Sequence, residues 1–352
     1  MKQGRAVSMN DDIQIRIEGR AGRITLNRPQ ALNAVTYQMC LAIEAALDAW
    51  ASDDAVALVM IDAMGERAFC AGGDIQEMYD TGTAGDFAYG RKFWADEYRM
   101  NAKMFRFPKP VVTFLQGYTM GGGVGVGCHG SHRIVCESSK IAMPECGIGL
   151  VPDVGGTLLL ARAPGRLGEY LGVSAARMGP GDAIYAEFAD YYIPQAGWDL
   201  LKTALIAGDL GAVDAAAQAP PDSPLAAQQG ALDQLFSGET LRDVLVDLKH
   251  GVDREVADAA LTLMGRNSPL AMACAIELVH RARSLDDIAH ALRNEYRFTA
   301  RSMEHGDFLE GIRAAIIDKD RAPKWKHTRA QDVTLAEVTR MLQPLGVDDL
   351  DI

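Results

Sequence analysis

No apolar run in this sequence approaches the ~18 residues of a membrane-spanning helix, so a spanning segment is not expected. Positive charge is scarce: 35 Lys and Arg stand against 47 Asp and Glu, for a formal net charge of −12. That balance argues against nucleic acid as a partner, since phosphate neutralisation needs a basic surface. It leaves room for a locally basic pocket. Six cysteines occur, yet no two form CxxC, and they lie scattered in mostly apolar surroundings. They read as reduced thiols of a cytoplasmic protein. The opening MKQGRAVSMNDD lacks the apolar stretch of a secretory signal and is poor in arginine for a transit peptide. GxSxG and Walker loops are also missing, as is any Ser–His–Asp arrangement that can be placed. If the chain is hydrolytic, its nucleophile or base is expected to be a carboxylate.

What is present describes a globular protein of 352 residues, 48% hydrophobic and 23% charged, long enough for two domains. Its halves differ in texture. Residues 10–200 alternate β-like runs with glycine turns and helical stretches, an α/β core. Residues 201–352, rich in Ala, Leu, Arg and acids, form a helical C-terminal region. IQIRIEGRAGRITLN, from Ile13 to Asn27, predicts a hairpin turning between Gly19 and Gly22. TYQMCLAIEAALDAWASDD predicts a helix with Leu41, Ala45 and Leu47 on its apolar face. AVALVMIDAM predicts a strand covered on both sides. PVVTFLQGYTMGGG predicts a strand ending near Gln116, then a turn whose glycines open a helix. Ser268 is expected to cap a helix beginning at Pro269, and Ala215–Gly230 to be a connector.

Two strand–glycine–helix junctions stand out. In FCAGGDI, Gly72 and Gly73 follow an apolar strand and precede a helix expected to be capped by Asp74. In YTMGGGVGVGCHG, triple glycine opens the next helix. Glycine there lets backbone N–H groups approach a ligand, and two junctions together can aim two donors at one oxygen. Close packing of helix on strand is the simpler use of the same residues. Gly125, Gly127 and Gly130 also fit GxGxxG, with Glu145 twenty residues past Gly125. A dinucleotide fingerprint belongs directly after its strand in the first βα unit, so that reading is set aside. Cys128, His129, His132 and Cys136 are read as buried thiols and ordinary histidines; a zinc set would draw on separated elements.

The stretch AMPECGIGLVPDVGG then places Glu145 and Asp153 among prolines, glycines and apolar residues. The nearest cations in sequence are Lys140 and Arg162. Burial and mutual repulsion would raise both carboxyl pKa values. As an alternative, each acid serves only its local turn.

RPQALNAV, AFCAGGDI, YTMGGGVGVG, AMPECGIGLVPDVGG and DFLEGIRAAIIDKDRAPKWK, in this order, resemble the enoyl-CoA hydratase/isomerase (crotonase) superfamily from about Ile13 to Lys326. More narrowly, MPE with PDVGG and NEYRFTARSMEHGDFLEGIRAAIIDKDRAPKWK resemble its 3-hydroxyisobutyryl-CoA hydrolase branch, which acts in valine breakdown. The resemblance implies a spiral of ββα units followed by helices. It implies that the Gly73 and Gly122 N–H groups bind the thioester oxygen of an acyl-CoA. Gly72 and Asp74 would contact substrate beside them, and Glu97 as a further acid, although a solvated helical charge is the alternative for Glu97. Many relatives carry lysine at Gln30 near the nucleotide end of CoA; Arg28 is the replacement cation here.

Departures from the pattern select the reaction. Hydratases use two glutamates, and the first position falls on Gly125 while the second is Glu145. Dienoyl-CoA isomerases also need an acid at Gly125. The hydrolases keep Glu145 and Asp153 without it, so the resemblance implies thioester hydrolysis, with no cofactor beyond the CoA of the substrate and no metal. Hydration or isomerisation of another acyl-CoA and non-catalytic acyl-CoA binding are the alternatives. Assembly as a homo-oligomer, a trimer or hexamer, is also implied.

Overall fold

The computed structural model describes residues 11–352, which divide into two compact units. Residues 1–10, which hold most of the opening stretch read for signal peptides and the first residue of the expected core, lie outside the described residues. The chain alternates between the units in six segments. The first unit holds residues up to Gly73, Arg99–Ile141 and Met178–Ser223; the second holds Asp74–Tyr98, Ala142–Arg177 and Pro224–Ile352.

In the first unit the hairpin is β1 (Ile13–Glu18) and β2 (Ala21–Leu26), antiparallel, with Ile13 opposite Leu26 and Glu18 opposite Ala21. Three strand pairs follow: β3 (Leu58–Ala63) and β4 (Ala68–Cys70), β5 (Val111–Phe114) and β6 (Tyr118–Met120), β7 (His132–Val135) and β8 (Lys140–Ala142). Each pair gives one strand to each of two sheets. With β9 (Tyr191–Tyr192) the larger sheet runs β1-β2-β3-β5-β7-β9, and the smaller runs β4-β6-β8. Beyond the hairpin the larger sheet is parallel throughout. That is the repeated ββα arrangement expected from the resemblance, and β3 is buried on both faces as its unbroken apolar run requires.

The helix Tyr37–Ala51 forms where expected, capped by Thr36, whose side chain accepts from Met39 N at 3.2 Å. Its buried face is Met39, Cys40, Ile43, Ala46, Leu47 and Trp50. Ala45 is exposed and Leu41 half-buried, because the bulk of Trp50 and Ile43 sets the inward stripe. One face of the larger sheet packs Leu58, Met60, Val112, Phe114 and Ile134 against Trp198, Leu201 and Leu205 of the helix Trp198–Ile206.

The second unit is mainly helical. At its centre the helix Pro269–Ser284 packs against Gly156–Arg162 and Leu167–Ser174. Ser268 caps it, accepting from Ala271 N, with Pro269 in the first turn as the sequence predicts. The expected connector at 215–230 is shorter than read. Helices Ala212–Ala216 and Pro224–Leu235 claim both ends, since Pro224 opens a helix as readily as it breaks one.

Candidate active site

The glycine junctions belong to the first unit. β4 and β6 are parallel neighbours, so the chain leaves both at the same end of the small sheet. An ideal Cβ on Gly72 would lie 3.6 Å from the Met120 carbonyl, which sets the two turns side by side. The expectation that the second strand ends near Gln116 is corrected: β5 ends at Phe114, and β6 lies directly before the glycines. GxGxxG falls inside and after the helix Gly122–Gly127 instead of at its turn, which removes the dinucleotide reading on better grounds. Gly121 turns the chain with φ 52° and ψ −120°, a backbone region open to glycine. Gly123 is pressed against β4, where a Cβ would meet the Cys70 carbonyl oxygen at 2.1 Å.

Gly122 is therefore the first helical residue, and its N–H is one of the donors that an α-helix cannot satisfy internally. Gly73 bridges to Val35, whose N–H donates to the Gly72 carbonyl at 2.9 Å. Among the described residues no backbone hydrogen bond is donated by Gly73 N–H. Arg28 sits on the loop bordering this turn, where its Nη1 donates to the Ala34 carbonyl at 2.7 Å and Nε lies 3.5 Å from Asp12. The four candidate zinc residues are not on one helix. Cys128 follows its end, His129 meets Phe105 edge-on, His132 opens β7 stacked on Tyr191, and Cys136 follows β7. All six cysteines are buried and outside any disulfide.

The acids belong to the second unit. Asp74 stands one residue before the cap position of the helix Gln76–Thr83, which Ile75 occupies, and its Oδ1 accepts from Gln76 N at 3.5 Å. Pro144 and the glycines hold Glu145–Ile148 to one 3₁₀ turn, and no α-helix forms before Gly156. The turn is anchored by Ser268 N, donating to the Cys146 carbonyl, and by Gly311, whose lack of a side chain admits the Ile148 carbonyl. Glu145 is 4% exposed and Asp153 5%. Glu97, on the helix Ala88–Phe105, is buried too, so the solvated alternative fails for it.

Burial raises Glu145 well above the ordinary carboxylate range, and the Asp153 charge raises it further, with smaller pushes from Glu295 and Glu97. Glu97 is raised by burial and then by Asp153. Asp153 is pushed up to about 7 by burial, partly offset by the Tyr98 hydroxyl, which donates to its Oδ2 at 2.7 Å. Glu145 Oε2 has no hydrogen-bond partner among the described residues. The nearby cations in sequence turn elsewhere: Arg162 pairs with Asp286 at 2.7 Å, and Lys140 lies over the Tyr118 ring. The cluster is thus a set of buried carboxyls raised by burial, in which Asp153 is able to give or take a proton near neutrality.

Tyr98 and Glu295 complete the cluster and were not singled out from sequence. Glu295 is fully buried and raised to about 8, chiefly by burial. Its signal was available: it falls on the inward stripe of Ile288–His305 with Ala291, Leu292, Phe298, Thr299 and Ser302. A cavity of about 500 Å³ in the second unit is lined by Glu239, Arg242, Ala273, Glu277, Val333 and Leu335 among others, and by none of these acids.

The chain is similar to known proteins along most of its length. Residues 21–342 match the family described as enoyl-CoA hydratase/isomerase. A protein of Gallus gallus named mitochondrial 3-hydroxyisobutyryl-CoA hydrolase is 32% identical over 97% of this chain and 91% of its own. Its namesake from Xenopus laevis is 35% identical over 95% and 89%. A crystal structure described as an enoyl-CoA hydratase from Rhodobacter sphaeroides is 54% identical and superposes with a TM-score of 0.93, covering 97% of this chain and 100% of that one. One described as a carnitinyl-CoA dehydratase from Mycobacterium thermoresistibile is 42% identical, with a TM-score of 0.92 over 97% and 99%. By its ββα repeats, its glycine junctions and these matches, the chain belongs to the enoyl-CoA hydratase/isomerase family.

Proposed function

We propose that the protein hydrolyses an acyl-CoA thioester, with 3-hydroxyisobutyryl-CoA as the substrate, releasing 3-hydroxyisobutyrate and CoA in valine catabolism. The observation that carries this reading is the buried Glu145–Asp153 pair, raised and without a cation, in a chain that has glycine at position 125. The names of the curated relatives support the substrate.

In this reading the Gly73 and Gly122 N–H groups polarise the thioester carbonyl. Donors of this kind are worth about 3–4 kcal/mol each, because they meet charge that develops only as the carbonyl is attacked. Glu145, whose Oε2 is uncommitted, either attacks the carbonyl carbon to give an anhydride that water then opens, or draws the proton from attacking water. Asp153 receives the 3-hydroxyl or passes a proton to the departing thiolate. Glu97, Gly72 and Asp74 contact the substrate, and Arg28 its nucleotide phosphates. No cofactor enters beyond the CoA of the substrate. Six buried cysteines outside any disulfide fit a reducing compartment, and we place the protein in the cytoplasm, although several relatives carry "mitochondrial" in their names. No helix among the described residues is long and apolar enough to cross a membrane. A trimer or hexamer is the proposed assembly, to be read from solution mass against the 38.0 kDa chain.

The test is thiol release from 3-hydroxyisobutyryl-CoA. Wild type should turn over, while Glu145→Gln and Asp153→Asn each lose at least about a hundredfold in kcat. The descriptions of the two solved structures favour a second reading, water addition to or removal from an acyl-CoA. Hydration of an enoyl-CoA without thiol release would establish it and refute the hydrolase.

A further inference from the structure

We propose that Glu295 is a positioning residue of this hydrolytic centre, fixing the turn from Asp153 to Gly156 and thereby the direction of the Asp153 carboxyl. The proposal rests on the hydrolase reading for its catalytic meaning, and on hydrogen bonds for its substance.

Both Glu295 oxygens are committed to that turn. Oε2 accepts from Gly155 N at 2.8 Å; Oε1 accepts from Thr157 N at 3.0 Å and from the Thr157 hydroxyl. The helix Gly156–Arg162 has no capping side chain of its own, since its cap residue is Gly155. Glu295 supplies that function from the helix Ile288–His305. The turn needs such a hold. Val154 has φ 54°, a conformation that β-branched residues rarely adopt, and Gly155 follows at φ 81°. Without a clamp the pair relaxes, and Asp153 moves with it.

The same helix steadies the carboxyl from a second side. Tyr98 donates to Asp153 Oδ2, and its ring meets that of Tyr296 edge-on, with centroids 6.3 Å apart. Asp153 is therefore held at its backbone by Glu295 and at its carboxylate by Tyr98. The titratable groups acting on Glu295 and its neighbours are Asp153, Glu145, Glu97 and Tyr98, and no cation figures among the principal influences on the four acids.

The test compares Glu295→Gln with Thr157→Val in the full-length protein. Glutamine turns one acceptor into a donor facing a donor, so the turn loosens while the volume stays. For Glu295→Gln we expect kcat for thiol release, read at about pH 9 where the Glu295 carboxylate is ionised, to fall 10–100-fold with KM within about threefold. The ionisation near pH 8 should drop out of the kcat profile. Thr157→Val, which keeps the charge, should lose about three- to tenfold in kcat with an unchanged profile. Hydrogen exchange of the 153–157 peptide, read without substrate, should quicken at least about tenfold in Glu295→Gln. The proposal is overturned if exchange is unchanged, or if kcat falls only with the folded fraction and the profile keeps its shape. Should Glu295→Gln fail to fold, Thr157→Val decides: wild-type kcat there refutes the clamp. A wild type that releases no thiol, with the exchange difference intact, refutes the hydrolase reading alone.

Discussion

Asp153 and Glu145 share an environment and differ in what touches them. Asp153 Oδ2 receives the Tyr98 hydroxyl, a bond that favours the charged form, whereas Glu145 Oε2 receives nothing among the described residues. Tyr98→Phe should therefore raise the Asp153 pKa above about 7. The limb of the kcat profile that Asp153 sets should move to higher pH, measured by thiol release across a pH series. The two acids were legible in the sequence because the residues around them offer no cation and forbid a helix. Tyr98 was not, although it adjoins Glu97. A buried tyrosine looks like core until its hydroxyl is seen to have a carboxylate to serve. Glu295 stood on a readable inward stripe, but its partner did not show, since the amide it holds lies 140 positions away.

At the scale of elements, the glycines of Gly122–Gly127 have two uses that the sequence left as rivals, and the structure shows the close packing. Gly122 presents an N–H, while Gly123 lets the helix lie on β4. Gly123→Ala should drive a methyl into the Cys70 carbonyl and destabilise the fold by ~3 kcal/mol or more, read by urea unfolding. A wild-type midpoint for that variant would mean that the helix packs less closely than described. The ββα alternation was readable because apolar runs, glycine turns and helical spacing recur in order. Where strand β6 begins was not: Tyr118–Met120 is three residues long, too short for a period-2 pattern to register. The face of Tyr37–Ala51 was misjudged because alanine fits either side of a helix, so its inward stripe is decided by Trp50.

Across the whole molecule the buried acids act on stability. Their folded pKa values are raised, so the native state holds protons that the unfolded chain releases. The stability they contribute is complete below the unfolded carboxyl range near 4 and is lost as pH rises through 7 to 8. Glu145→Gln should remove one such term. Its Tm should match wild type near pH 4 and exceed it by about 2–5 °C at pH 8, by thermal scanning at both values. An equal Tm gain at both would show that Glu145 ionises alike in the folded and unfolded states. A catalyst that is less stable for carrying its acids unpaired is the usual cost of an active centre.

The six-segment alternation of the chain sets an order in time as well as in space. A ribosome delivers residues from the amino end, so the first unit stays open until Ser223 has emerged and the second until its helices follow. The Asp153 turn is made early and waits for Glu295, 140 residues behind the amide it will hold. A chain released before that point carries Glu145 and Asp153 without the order that makes them useful. Acquisition of thiol-release activity during synthesis should accordingly be a single late event, with no partial enzyme before it.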